Sequence, residues 1–381
     1  MVEHWKDYST ISNKCKRYKL GSNYGSQLIK YTVISDNSAF IKKRNSFKID
    51  RMMVANKKCN HLTKWLNPEL LTIDSDKAIN YIRKEYVGKG NIHRKNKRIF
   101  SIKSIENKYW TYSREGLDDR LHTVLTSLPK DLRQYVKYNG ESLISLDIKN
   151  SQPFILASIL NQLINPNINK INGYIEGKDN NKYSFIMCDL FRNTLIKSEL
   201  ELFINQVLDG TFYESYGDIL YNEAIISEDI NNKCYLTNII KIPNKPLRIK
   251  KFDNRREAAK HVIMQTLFSS EKYHANIITV FEKHYKEVYR VTQFIKKDKE
   301  KNFFPILLQN TEANSILDYC TKIISNKYPD MPLFTIHDSI ITTSICPVNL
   351  EEEFTKLLCF YFGICPKLGT EHWVGDLSRA S

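Results

Sequence analysis

Residues 333–343 read LFTIHDSIITT, and this stretch decides how the rest of the chain is interpreted. Apolar and β-branched residues lead into His337-Asp338-Ser339 and continue after it, which is typical of a buried β-hairpin. Burying an ionised carboxylate is costly unless it is paired or binds a ligand. The position of Asp338 therefore predicts either a satisfied buried polar group or a functional carboxylate.

A second isolated carboxylate lies in residues 142–156, SLISLDIKNSQPFIL. We predict a strand over 143–148, a polar turn, and an apolar helix that begins near Pro153, because proline is favoured in the first turn of a helix. If neighbouring strands present Asp147 and Asp338 at one edge of a sheet, divalent cations would relieve their repulsion. Two Mg²⁺ ions about 3.5–4 Å apart could then activate a 3′-hydroxyl and stabilise a leaving pyrophosphate. The alternative for each Asp is a helix cap or a satisfied buried group.

Residues 253–273, DNRREAAKHVIMQTLFSSEKY, predict a long helix. Four of its side chains recur at four-residue intervals and share one face: Arg256, Lys260, Met264 and Phe268. The cationic end of this row would suit a triphosphate, helped by the helix N-terminus, and the apolar end would suit a base or sugar. The alternative is an ordinary basic amphipathic helix with half of the row in the core.

Other helices are predicted from apolar periodicity and capping signals. They cover residues 74–86, 305–325 and 350–363. Asp74 or Ser75 would cap the first of these helices, and Asp253 would cap the helix at 253–273. We expect the basic stretch 88–98, GKGNIHRKNKR, to be a flexible segment, which is either a solvated loop or a contact with phosphate groups through Arg94 and Lys95.

Composition narrows the class of protein. The chain has 381 residues, 42% of them hydrophobic, and a formal net charge of +15. This length suggests two or three domains, or one large domain with an insertion. The excess of positive charge favours a polyanionic partner, most simply nucleic acid, although solubility alone is the alternative explanation.

Several classes of protein are disfavoured by the same sequence. The eight cysteines contain no C-x-x-C pair, and Cys59-Asn60-His61 has no second half at zinc-site spacing, so we expect reduced thiols. The polar, charged start MVEHWKDYST is unlike a signal peptide, and no run of 18 apolar residues occurs. We therefore expect a cytoplasmic protein with no membrane partner.

Three of these stretches resemble the sequence motifs shared by family A DNA polymerases and the single-subunit, phage-type RNA polymerases. Residues 146–156 are similar to the first motif, with Asp147 as a metal ligand and Ser151-Gln152 as its Ser-Gln pair. Residues 255–268 are similar to the second motif, and TIHDSI at 335–340 to the His-Asp motif. The three occur in the same order as in those families.

Two further segments extend the resemblance to residues 116–345. LQNTEANSIL at 308–317 resembles the helix whose Gln, here Gln309, touches the minor groove of the primer–template. RLHTVLTSLP at 120–129 resembles the segment that enters the palm and begins here with Arg120.

The resemblance implies an α+β fold, a right-hand polymerase with an antiparallel palm sheet, helical fingers and a reduced, thumb-like N-terminal region. It divides the chain into a basic thumb-like or template-binding region at 1–115, palm at 116–184, fingers at 185–300, and palm with a C-terminal helix at 301–381. The implied location is the cytoplasm of a bacterium, or of the host of a phage or plasmid. No pattern of clustered acidic residues predicts a proofreading exonuclease.

The implied activity is template-directed nucleotidyl transfer by a small DNA-dependent DNA polymerase. Its partners would be a DNA template, a primer and dNTP, or NTP as the alternative. Asp147 and Asp338 would bind two Mg²⁺ ions, with Mn²⁺ as the alternative ion, and Lys260 would give a proton to pyrophosphate. The implied nucleotide-binding residues are Arg256, Lys260, Met264, Phe268 and Gln152; those for nucleic acid are Arg120, His122, Gln309, His337, Arg94 and Lys95.

Departures from the family pattern keep other functions open. Two extra residues separate Asp147 from the Ser-Gln pair, and the Glu that normally follows this pair is absent. Phe268 stands where Tyr is usual, Ser269 where Gly is usual, and Ser339 where DNA polymerases usually have Glu. We expect DNA synthesis; the alternatives are a primase or single-subunit RNA polymerase using NTPs, and a catalytically inactive homologue that binds nucleic acid.

Overall fold

The computed structural model describes residues 2–6, 17–20, 39–88, 92–165, 194–236, 250–270, 276–297, 299–300, 302–346 and 348–374. The chain divides into two compact units, residues 1–49 and 50–381. In the first, strand β1 (Val2–Lys6) pairs with β2 (Arg17–Leu20) in antiparallel fashion. The residue ranges of both units include part of helix α1 (Ala39–Thr63). Every candidate site residue lies in the second unit.

An antiparallel sheet of six strands organises the described part of the second unit. Its strands are β3 (Leu71–Ile73), β4 (Val136–Tyr138), β5 (Glu141–Ile148), β9 (Phe334–Ile336), β10 (Ser339–Thr343) and β11 (Leu368–His372). They run in the order β3-β4-β5-β10-β9, and β11 pairs with β5. A smaller sheet contains β6 (Ile226–Glu228), β7 (Cys234–Leu236) and β8 (Lys251–Phe252).

The local sequence explains the central strands. All five residues of β10 are buried, since it lies between β5 and β9, and this accounts for its unbroken run of apolar and β-branched residues. Asn139 and Gly140 join β4 to β5 with positive φ angles of 48° and 82°, as Asn-Gly turns commonly do. The hairpin predicted at 333–343 is confirmed, and the strand predicted at 143–148 forms the end of β5.

Helices make up most of the remaining described chain. They are α2 (Ser75–Glu85), α3 (Ile92–Glu106), α4 (Ser151–Ile164), α5 (Lys197–Leu208), α6 (Phe212–Asn222), α7 (Arg255–Phe268), α8 (Asn276–His284), α9 (Lys286–Lys296), α10 (Phe303–Ala313), α11 (Thr321–Lys327) and α12 (Leu350–Phe362). Helix α4 is largely buried, and its Phe154 meets Phe362 of α12 edge to face. The predicted α+β class is therefore confirmed.

An aromatic core holds helices α5, α6 and α8 together. Phe203, Phe212, Tyr216 and Phe281 surround Tyr285, with ring centroids between 5.2 and 6.0 Å from its own. Edge-to-face and tilted contacts of this kind add to the free energy gained by burial. This core supports α7, because α7 packs along α6.

The expectation of a flexible segment at 88–98 is wrong for its larger part, because α3 begins at Ile92. Ile102 and Ile105 are buried on one side of this helix. Arg98 anchors it through an ion pair of 2.7 Å with Asp131 and by lying 4.2 Å from the centre of the Tyr86 ring. The charges of the segment thus occupy a helical surface.

Helix ends also differ from the sequence expectations. Helix α7 is capped by Asn254 and not by Asp253, since the Asn254 side chain accepts a hydrogen bond from the Glu257 N–H while Asp253 pairs with Lys233. Helix α4 begins two residues before Pro153. The predicted helix at 305–325 runs from 303 to 327, but its middle, Asn314–Cys320, is π-helical.

The cysteines depart from the expectation in one place. Cys359 and Cys365 form a disulfide at the end of α12, whereas we expected reduced thiols throughout. These two cysteines are six residues apart in the sequence. The remaining described cysteines are free, and Cys15 and Cys188 lie outside the described residues. Among the described helices, none is both long and apolar enough to cross a membrane.

Candidate active site

Two strand ends bring Asp147 and Asp338 to the same end of the sheet. Asp147 is the penultimate residue of β5 and lies opposite Ser339, the first residue of β10. Asp338 immediately precedes Ser339, and its carbonyl oxygen accepts a hydrogen bond of 3.3 Å from the Ile148 N–H. Asp147 at the end of β5 and Asp338 in the β9–β10 turn therefore lie at the same end of the sheet, as the sequence reasoning required for a shared site.

Both carboxyl groups are electrostatically unfavourable as anions. Burial raises the pKa of Asp147, an effect that Lys130 opposes and Glu371 reinforces. Burial also raises the pKa of Asp338, and the negative charges of Glu312 and Asp147 raise it further. A bound cation would relieve this repulsion, since an opposite charge favours the ionised form.

A glycine creates the space in which Asp147 lies. Gly369 of β11 pairs with Asp147, and a Cβ at position 369 would lie only 3.2 Å from Asp147 Oδ1. Among the described residues, no group of three or more His, Cys, Asp or Glu side chains is arranged to hold a metal ion. A pair of carboxylates nevertheless fits Mg²⁺, which retains water ligands and takes others from substrate phosphates.

His337 has an unusual conformation and environment. Its φ of 51° lies in the left-handed region, which is uncommon for residues other than glycine. Its Nδ1 is buried with no hydrogen-bond partner in the described structure. Burial lowers the pKa of His337 to about 4, assisted by the charges of Arg120 and His122, so the imidazole is neutral at pH 7. Such backbone outliers concentrate at functional sites.

Glu312, a residue that the sequence reasoning missed, is the third carboxylate of the site. It lies on α10, three residues after the expected Gln309, and only 2% of it is exposed. Ser151 Oγ and Gln152 Nε2 donate to its Oε2 at 3.1 and 2.7 Å. Arg120 Nη2 lies 2.6 Å from its Oε1. The only signal in the sequence was an acidic residue between apolar positions four residues to either side, Leu308 and Ile316.

The predicted row on α7 exists as a helix face. Arg256 pairs with Glu214 and Glu257 at 2.8 and 3.7 Å, and Lys260 is exposed with no ion-pair partner among the described residues. Met264 and Phe268 are partly buried against the hydrophobic core. The cationic end of the row is thus accessible, and its apolar end takes part in packing.

Tyr213 lies beside Arg256, and the charge of Asp338 also acts on it. The residue is 3% exposed, on α6, and the Arg256 guanidinium lies 5.5 Å from its ring centre. Burial raises the pKa of Tyr213, and the charges of Arg256 and Asp338 act on it in opposite directions. One side chain is therefore close to Arg256 and within electrostatic reach of Asp338, although no sequence pattern indicated it.

The remaining predicted residues are spread over several elements. Gln309 is partly buried on α10. His122 lies 3.4 Å from Asp118 and is about half exposed, near enough to His337 for its charge to act there. Arg94 is exposed and Lys95 is partly exposed on α3, and none of their described contacts involves the carboxylates.

Comparisons with known proteins give distant similarity to solved structures alone. No family model matches the chain, and no curated protein does. Among solved structures, it is similar to the POL domain of Pol1 from M. smegmatis, in complex with DNA primer-template and dNTP, with 11% sequence identity and a TM-score of 0.32. The match covers 74% of this chain and 52% of the other, so this chain spans about half of that length.

Proposed function

We propose that the protein is a template-directed nucleotidyl transferase, a small DNA-dependent DNA polymerase that uses two Mg²⁺ ions. The observation that carries this proposal is that Asp147 and Asp338 lie at the same end of the sheet. They are close enough for the charge of Asp147 to raise the pKa of Asp338. Two carboxylates at the same end of one sheet suit divalent ions that also bind phosphates.

The cationic row of α7 supplies the second part of the proposal. Arg256 and Lys260 would bind the triphosphate of the incoming nucleotide, and Met264 and Phe268 would contact its base or sugar. Among the described residues, the ion pairs of Arg256 are exposed to solvent. Because exposed ion pairs contribute little stability, a triphosphate could replace them.

In the proposed reaction the primer 3′-oxygen bonds to the α-phosphorus and the bond to pyrophosphate breaks. Asp147 and Asp338 would hold the ions, which lower the charge of the phosphates and favour the 3′-alkoxide. Lys260 would donate a proton to the departing pyrophosphate. Most of the acceleration would come from positioning and charge stabilisation.

Nucleic-acid binding is proposed for the residues around the β9–β10 turn. Neutral His337, Arg120, His122 and Gln309 would contact the primer end or its backbone. Support comes from the unpartnered, buried Nδ1 of His337 and from the net charge of +15. The charges of Arg94 and Lys95 on the surface of α3 would contact phosphate groups farther along the duplex.

Primer extension tests this function directly. The purified protein is given a primed DNA template with dNTPs, and separately an unprimed template with NTPs alone. We expect extension with dNTPs, and a loss of at least about 10²–10³-fold in D147N and D338N, the usual scale for removing one group that stabilises transition-state charge. DNA binding by both variants should be close to that of the wild type.

The matched control is D330N, which makes the same chemical change at an exposed residue before β9 and should leave extension unaffected. Product from NTPs alone would replace the DNA polymerase with a primase or RNA polymerase. Equal synthesis by wild type and D147N would refute the metal-site assignment. DNA binding without synthesis from either nucleotide class would leave a binding protein.

A further inference from the structure

A single buried carboxylate joins three separate parts of the chain beside the proposed active site. Glu312 of α10 accepts hydrogen bonds from Ser151 and Gln152 at the start of α4, more than 150 residues earlier in sequence. It also pairs with Arg120, from the segment that precedes β4. We call these four residues the Glu312 cluster.

The Glu312 cluster pairs one negative charge with one positive charge. A carboxylate that is 2% exposed would be very unfavourable without a counter-charge, and Arg120, whose side chain is 16% exposed, provides one. Since a carboxylate only accepts hydrogen bonds, it also determines how the Gln152 amide is turned. Gln152 gives its nitrogen to Glu312, and its Oε1 is left buried without a partner among the described residues.

Every member of the cluster is next to a proposed functional group. Ser151 and Gln152 are the first two residues of α4, which begins directly after the turn that follows Asp147 and Ile148. Arg120 is close enough to His337, and Glu312 to Asp338, for their charges to act on those side chains. A buried ion pair in an ordinary core would have no such neighbours.

We propose that Glu312 is a positioning residue, which holds Arg120 against the primer end and turns Gln152 so that its oxygen faces the incoming nucleotide. This inference rests on the proposed function. The chemical group that Gln152 Oε1 would meet is a hydrogen-bond donor, such as a hydroxyl of the nucleotide sugar. Glu312 itself would touch neither substrate.

The test combines three variants, E312Q, R120Q and the double variant R120Q/E312Q, with R120K as the conservative change. E312Q keeps the shape of the side chain but removes the negative charge that pairs with Arg120. Because the new amide can both donate and accept hydrogen bonds, it no longer dictates the orientation of Gln152. For each variant, primer extension gives kcat and the KM for nucleotide, and titration of labelled primer–template gives the Kd.

We expect E312Q to lower kcat by about 10²-fold, the scale on which a displaced group reduces catalysis, while the Kd for primer–template changes little. The KM for nucleotide should rise as well, since Gln152 is then free to turn. The double variant should be no slower than the slower single variant, and R120K should retain more activity than R120Q.

The matched control is E287Q. Glu287 is also 2% exposed and pairs with an arginine, Arg290, but it lies on α9, and its described partners are not site residues. E287Q should lower the midpoint of thermal unfolding about as much as E312Q and leave kcat near that of the wild type. Unfolding midpoints and circular dichroism establish that all variants compared are folded.

Two results would overturn the inference. One is an E312Q protein that resembles E287Q, less stable but with kcat and KM within about twofold of wild type. The other is a set of multiplicative losses in the double variant, since independent residues add in free energy. Failure of the proposed function looks different, because wild type and D147N would then be equally inactive.

Discussion

At the scale of single residues, the proposed metal site depends on a glycine, which has no side chain, as well as on its carboxylates. Gly369 lies opposite Asp147, where a methyl group would approach Oδ1 to 3.2 Å. We predict that G369A displaces the Asp147 carboxylate by a few tenths of an ångström. Extension activity should fall about tenfold, on the reasoning that small misplacements are costly, and half-maximal activity should require more Mg²⁺.

The control for this prediction is T370A, one residue farther along the same strand at an exposed position. Mg²⁺ binding measured by calorimetry on protein without substrate provides a readout separate from activity. If G369A and T370A bind Mg²⁺ with equal affinity, the glycine has no role in seating Asp147.

A second residue-scale prediction concerns His61, on α1. Its Nε2 lies 3.1 Å from the Leu317 carbonyl oxygen and 2.9 Å from Thr321 Oγ1, and burial lowers the pKa of His61 to about 4. As pH falls below about 6.5, the unfolded chain takes up a proton at this position and the folded chain does not. His61 therefore reduces the free energy of unfolding progressively between about pH 6.5 and 4.

Urea unfolding of wild type and H61Q at several pH values tests this sign. At pH 7.5 we expect H61Q to be less stable than wild type, since it disturbs contacts with the π-helical segment. That difference should shrink at pH 5, where only the wild type carries the penalty. His337 shifts in the same direction in both proteins and cancels from the comparison. A difference independent of pH would show that His61 titrates normally.

At the scale of elements, α3 shows why charge can hide a helix from sequence reasoning. Lys and Arg dominate its first turns, and its buried residues, Ile102 and Ile105, come only near its end. Arg98 also behaves as a packing residue, with its guanidinium over the Tyr86 ring and paired with Asp131. A pattern that counts arginine only as polar cannot register such contacts.

Because α3 is an ordered helix, the proposed contact with nucleic acid can be assigned to particular residues on its surface. Near the start of α3, Arg94 is exposed and Lys95 is partly exposed. We expect R94E/K95E to weaken primer–template binding and to lower the slope of log Kd against log salt by about 1 to 2. Each phosphate contact that is lost reduces the number of counterions released from the DNA on binding.

The control variant for α3 is K286E/K297E, which carries the same change in net charge at exposed residues of α9 and just beyond it. Equal salt slopes in the two double variants would mean that overall charge, and not the surface of α3, attracts the nucleic acid. Binding should be measured by anisotropy over a range of NaCl concentrations.

At the scale of the whole molecule, local sequence patterns predicted individual strands but not the contacts between residues that are far apart in the sequence. The strands carrying Asp147 and Asp338 follow from short patterns of apolar residues around a charge. Their pairing with each other was a hypothesis that the register of β5 and β10 bears out. Gly369 and Glu312 could not be found in this way, because their significance depends on which distant residue they face.

The last prediction concerns the stability of the molecule. Asp147, Asp338 and Glu312 place three carboxylates near one end of the sheet, and only Glu312 has a close ion-pair partner, Arg120, in the described structure. In the absence of divalent ions at pH 7.5, D338N should therefore unfold at a higher temperature than wild type, since functional sites commonly sacrifice stability. Mg²⁺ should reverse that order.

Ligand binding to the folded state stabilises it by RT ln(1 + [L]/Kd), which is about 1.4 kcal/mol when Mg²⁺ is at ten times its Kd. We expect this gain in wild type and in D330N, and little or none in D338N, when thermal unfolding is followed with increasing Mg²⁺. The same gain in D338N would place the ion elsewhere. A wild type that is already more stable than D338N without Mg²⁺ would mean that other groups satisfy Asp338, and its carboxylate would then need no metal.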